Sequence, residues 1–142
     1  VSPTYYVQDG VVPRTHIAST LRFIRGVGEK YGLNISNIFH AGDGNMHPIL
    51  PFDPRNPGEL EKARRAGEEI LEHCIEVGGT ITGEHGVGME KIDLMEKLFS
   101  ADSLEAMRRF KFLFDPDRLL NPGKVVPMGR GCVESRISPH VC

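Results

Sequence analysis

Apolar positions recur along this chain with two different periods. Tyr5-Tyr6-Val7-Gln8 is aromatic and β-branched, which favours a strand, and Asp9-Gly10 follows as a turn signal. Pro13 suits a first helical turn, and Ile17, Leu21, Ile24 and Tyr31 then recur at helical spacing. Gly26 and Gly28 weaken that helix, and Gly32 ends it. Residues 35–40 and 46–52 read as strands, and 53–58 as a loop rich in Pro, Asn and Gly. The strongest helical pattern runs over 59–77. Leu60, Ala63, Gly67, Ile70, Leu71, Cys74 and Val77 form its apolar stripe, and Gly78-Gly79 stops it.

Thr80 to Thr82 reads as a short strand, and five glycines crowd residues 78–88. Helical spacing returns over 91–99 and again after Asp102, where Glu105 three residues on resembles a capping box. Ala106, Phe110, Leu113 and Phe114 give this last helix its apolar face, and Asp115-Pro116-Asp117 breaks it. The mixture predicts an α+β domain over residues 1–128: a small antiparallel sheet covered by helices. Residues 129–142 are expected to form a tail without regular structure.

Composition narrows the classes of function. A chain of 142 residues with 39% hydrophobic and 25% charged residues is an ordinary globular sequence. The net charge of −2 and the lack of a basic run argue against nucleic-acid binding. No apolar stretch approaches the roughly 20 residues needed to span a bilayer, and residues 1–4 carry no secretory pattern. The missing initiator Met leads us to expect a chain that starts inside a larger protein. Three cysteines, at 74, 132 and 142, fit no zinc or disulfide framework. They are read as one buried thiol and two tail residues, which points to a reducing, cytoplasmic setting.

The candidate chemistry lies in two segments. The first is His40-Ala41-Gly42-Asp43-Gly44-Asn45-Met46-His47, with strand-like residues on both sides. With Asp43-Gly44 at the centre of a two-residue turn, His40 would stand directly opposite His47. Such a pair either chelates one metal ion or consists of two separately hydrogen-bonded histidines. The second segment holds Glu84 and His85 between glycines. Glu84 can complete a His₂Glu set that keeps a coordination position open. On a continued strand His85 would face the other way, free as an acid or base. The bland alternative is a solvated Glu-His pair on a glycine loop. His16, His73 and His140 are read as surface or packing residues. No HExxH, Walker, GxGxxG or GxSxG pattern is present.

Three stretches together resemble a known family. FHAGDGNMHP at 39–48, GGTITGEHGVGMEK at 78–91 and DPDRLLNPGKV at 115–125 are similar to the C-terminal cap region of FAD-linked oxidases. That family includes the flavin-binding component of glycolate oxidase, D-lactate dehydrogenase and D-2-hydroxyglutarate dehydrogenase. YYVQDGVVPR at 5–14 is most similar to the glycolate oxidase branch. The resemblance implies metal ligands at His40, His47 and Glu84, for zinc or manganese, and a catalytic base at His85. It implies that Asn121 belongs to a segment returning to the flavin, and that Arg14 has a substrate-binding role. The implied activity is oxidation of a small 2-hydroxy acid with hydride transfer to FAD. The family's separate FAD-binding domain is absent from this sequence. So is the segment with its principal carboxylate-binding arginine. The chain is therefore expected to be an inactive fragment of the enzyme, with the missing domain, other oxidase subunits or an electron acceptor as partners. Any membrane association would come through those subunits. The His₂Glu set alone would also permit a zinc-dependent hydrolase or a non-catalytic module clipped by a metal.

Overall fold

A computed structural model describes residues 2–128. Within them the chain divides after Gly86 into two compact units. The expected tail, with Cys132, His140 and Cys142, lies outside the described residues.

The first unit is built on one central strand. Strands β1 (Thr4–Val7), β2 (Gly10–Val11), β3 (Ser36–His40) and β4 (Asn45–Phe52) form an antiparallel sheet. β1 pairs with the 49–52 stretch of β4, and β2 with Asn45 and Met46. β3 pairs with residues 45–49. Asn45, Met46 and Ile49 thus have partners on both sides, which puts β3 on one edge of β4 and the other two strands on the opposite edge. Residues 80–82 form no strand; Thr80 makes a single bridge to Val11.

Two helices cover one face of this sheet. Helix α1 (Ile17–Tyr31) follows a 3₁₀ turn over Arg14–His16 and ends at Gly32, whose φ of 66° suits a residue without a Cβ. Helix α2 (Glu59–Glu76) carries Glu59 and Glu61 in its first turn, where carboxylates favour the helix dipole. Strand alternation sends Met46, Leu50 and Phe52 toward the helices. They pack with Ile24 and Val27 of α1 and with Ala63, Ala66, Ile70 and Cys74 of α2. Burying a side chain such as Ile70 contributes roughly 1.5–3 kcal/mol. The same alternation turns Asn45 and His47 to the other face, away from the helices.

The second unit, from Val87, is helical. The pattern over 91–99 gives a 3₁₀ turn (Ile92–Leu94) and the short helix α3 (Met95–Leu98), not one continuous helix. Helix α4 (Ala101–Phe114) begins earlier than its sequence pattern suggested. Its cap is Ser100, whose Oγ accepts from the Ser103 N–H at 3.2 Å. Asp102 therefore sits inside the first turn, and Glu105 binds Arg108 and Arg109 at 3.1 and 2.9 Å instead of closing a capping box. The Asp115 carboxylate ends the helix by accepting from Leu119 and Leu120 N–H groups and from Lys111. The expected apolar face does not bury. Phe110, Leu113 and Phe114 are each about two-thirds or more exposed (68%, 74% and 68%). No helix among the described residues is long and apolar enough to cross a membrane.

Candidate metal and substrate site

The site lies on the sheet face opposite the helices. His40 pairs with Asn45 across the β3–β4 hairpin, and His47 pairs with Ile38. This corrects the expected register, in which His40 opposed His47. The turn spans four residues, Ala41–Gly44, because the N–H groups of Asp43 and Gly44 both bond to the His40 carbonyl. Gly44 adopts φ 74°, and a Cβ there would collide with the Val12 carbonyl oxygen. The displacement is two residues, so both histidines stay on one face and become diagonal neighbours. Their rings meet edge to face with centroids 5.4 Å apart.

The segment after Thr80 brings in the other groups. It wraps around one buried carboxylate instead of extending as a strand. Asp9 Oδ2 accepts from the Thr82 hydroxyl at 2.6 Å and from the N–H groups of Gly83, Glu84 and His85 at 3.0, 3.0 and 2.8 Å. Thr82 in turn accepts from the Gly86 N–H at 2.8 Å. A Cβ at Gly83 would lie 2.7 Å from Asn45 Nδ2, so only glycine lets the loop sit this close to β4. Burial alone would raise the Asp9 pKa. The Thr82 hydroxyl and the three N–H groups outweigh burial and hold the carboxyl far below the usual range. Asp9 is therefore an anion throughout the physiological range.

The wrapping also corrects the expected orientation of Glu84 and His85. Adjacent residues alternate faces only on an extended strand, and here both reach His47. Glu84 Oε1 lies 3.3 Å from His40 Nε2, and Glu84 Oε2 lies 3.8 Å from His47 Nε2. The His85 ring stacks on the His47 ring, with centroids 5.0 Å apart and planes 18° from parallel. His47 is buried, whereas the side chains of His40 and Glu84 are about half exposed (52% and 54%). The cluster is thus anchored at one end and open to solvent at the other.

The residues fit a divalent metal. One ligand atom each from His40, His47 and Glu84 can be chosen so that all lie within 4.8 Å of one another. Two imidazoles and a carboxylate are donors that suit zinc and manganese. On the far side of His47, its buried Nδ1 makes no hydrogen bond and lies 3.8 Å from Asp9 Oδ1.

The other expected residues lie elsewhere. Arg14 is exposed, and its backbone adjoins the hairpin turn: a Cβ at Gly44 would lie 3.8 Å from its N. Asn121 belongs to the second unit. It is exposed at φ 47° and lines an apolar groove with Ala106, Met107 and Phe110 of α4. His73 stacks on Phe23 at 4.0 Å and His16 is exposed, as packing and surface residues. Sequence reasoning missed Asp9 and Thr82 as members of the site. Asp9-Gly10 reads as a turn, and nothing local indicates that Asp9 meets a loop more than 70 residues away.

The chain matches known proteins over most of its length. Residues 1–125 match the family "FAD linked oxidases, C-terminal domain". Glycolate oxidase subunit GlcD of Escherichia coli K12 is 48% identical over 134 residues, 94% of this chain and 27% of that protein. The Bacillus subtilis GlcD is 44% identical over 88% of this chain and 27% of its own length. The mitochondrial D-lactate dehydrogenase [cytochrome] of Arabidopsis thaliana is 34% identical over 96% of this chain and 22% of its own length. The chain thus spans about a quarter of these relatives. A solved structure of 4-ethylphenol oxidase from Gulosibacter chungangensis shares the fold. Its TM-score is 0.61 at 19% identity, covering 87% of this chain and 24% of that one. The match over residues 1–125 and these relatives make the chain a member of the family of FAD-linked oxidase C-terminal domains.

Proposed function

We propose that this chain is the substrate- and metal-binding part of a flavin-dependent 2-hydroxy acid dehydrogenase or oxidase of the glycolate or D-lactate type. The observation that carries the reading is the convergence of His40, His47 and Glu84 on one point of the open sheet face. The names of the relatives supply the substrate class.

His40, His47 and Glu84 would hold zinc or manganese. When bound, such an ion supplies a Lewis acid that lowers the pKa of a coordinated hydroxyl. FAD, assigned mostly to a domain outside these 142 residues, supplies the hydride acceptor, so that the alcohol becomes an aldehyde or ketone. Asn121 is the residue here assigned to the flavin side, and its exposed amide on an apolar groove suits that contact. His85 takes the substrate hydroxyl proton. Its ring lies against His47 but outside the His₂Glu set, and an imidazole suits proton transfer near neutral pH. Arg14, exposed beside the hairpin turn, is assigned to substrate binding. Other oxidase subunits and an electron acceptor complete the assembly. We assign it to the cytoplasm, with any membrane contact made through those subunits.

Two substitutions in the intact protein separate the roles. Glu84→Gln should lower metal content and turnover together. His85→Asn should keep metal and flavin while turnover falls about 10²-fold or more, the scale of a general base. Reversed results would exchange the two roles. Near-normal metal and turnover in both would remove the pair from the site. A colourless, flavin-independent intact protein would overturn the oxidase reading itself.

A further inference from the structure

Asp9 occupies a position that neither metal ligation nor proton transfer uses, yet it touches both groups that do. It is fully buried, at 0% exposure. One of its oxygens gathers the Thr82 hydroxyl and three successive backbone N–H groups, so the direction of the 83–85 backbone is set by this carboxylate. That direction carries the Glu84 carboxylate to within 3.3 Å of His40 and 3.8 Å of His47. The other oxygen lies 3.8 Å from His47 Nδ1, the ring nitrogen that faces away from Glu84. A ring nitrogen of His85 can also be chosen within 4.8 Å of both an Asp9 oxygen and a His47 nitrogen.

We propose that Asp9 is the positioning residue of this site, acting through both of its oxygens. This inference rests on the reading of His40, His47 and Glu84 as metal ligands. Oδ2 folds the loop so that Glu84 faces the two histidines. Oδ1 favours the tautomer of His47 with its proton on Nδ1, because an N–H dipole pointing at a fixed anion is stabilised and a lone pair there is repelled. Nε2 is then left unprotonated on the side where the ion binds. A ligating histidine backed by a carboxylate is a general device for fixing ring orientation and raising ligand basicity.

A merely structural Asp9 would change stability and loop position without moving the His47 tautomer. The test uses the 142-residue chain, titrated with Zn²⁺ by calorimetry at a pH where imidazoles are neutral. Asp9→Asn keeps the shape and removes the charge. It should bind Zn²⁺ about 10- to 100-fold more weakly, the range for loss of a partner behind a metal ligand. In the metal-free chain, the ring ¹⁵N shifts of His47 should move from the Nδ1–H pattern toward a mixture of tautomers. Thr82→Val, which removes one donor to Oδ2 and leaves the charge, should weaken Zn²⁺ in the same direction by less. It decides the matter should Asp9→Asn fail to fold. Wild-type affinity with unchanged His47 shifts in the folded variants would overturn the positioning role while leaving the metal site intact. Failure of the unmodified chain to bind either Zn²⁺ or Mn²⁺ would remove the metal reading, and this inference with it.

Discussion

Helices α2 and α4 carry similar amphipathic patterns and meet opposite fates. In α2, Ala63, Ala66, Ile70, Leu71 and Cys74 are all buried, and most of them join the sheet core. In α4, Leu104 is the buried residue, while Phe110, Leu113 and Phe114 remain exposed. A periodic apolar stripe states that a helix has a buried face in its working context. It does not state that the covering surface lies within the same stretch of chain. The first unit supplies its own cover, because β4 offers α2 a row of alternating apolar side chains. The second unit, with Leu94, Met95, Leu104 and Val126 as its buried apolar residues, has a far smaller interior.

The widest expected gap is therefore between equivalent truncations on the two helices. Ile70→Ala should cost on the order of 2–5 kcal/mol, since it leaves a cavity against the sheet. Leu113→Ala should change stability by no more than about 0.5 kcal/mol in this chain. Urea denaturation of both variants measures the difference directly. Equal midpoints would show that the two stripes are not differently buried.

A smaller contrast separates two glycines. Gly44 and Gly123 share a positive φ, 74° and 72°. Only at Gly44 would a Cβ strike another segment, the Val12 carbonyl; at Gly123 it would meet nothing within 4 Å. Gly123→Ala should cost about 1–2 kcal/mol for the left-handed backbone alone. Gly44→Ala should cost more, because relieving the collision also opens the hairpin turn. Thermal melts of the two variants should rank in that order, and the reverse order would mean that the turn does not pack on Val12.

The same physics sets what was legible in the sequence. The stripe of α2 and the strands on either side of the hairpin follow from local periodicity. The hairpin register does not. Asp43-Gly44 favours a two-residue turn, but the fit of Gly44 against Val12 and two bonds to the His40 carbonyl widen the turn to four. The face of the two histidines was still legible, because a shift of two residues preserves the strand face. Glu84 and His85 were identifiable by their residue types and glycine neighbours. Their shared orientation was not, since it depends on an acceptor 75 residues from Glu84. The role of Asp9 is hidden in the sequence for the same reason: it exists only once the chain has folded.

Metal stoichiometry shows whether His40, His47 and Glu84 form one site. Elemental analysis and Zn²⁺ calorimetry on the wild-type chain and on His40→Ala compare the site with and without one of its two imidazoles. His40 is half exposed, so its truncation leaves the core unchanged. The wild-type chain should hold one ion, and His40→Ala should lose it. Equal metal content in the two proteins would contradict that single site.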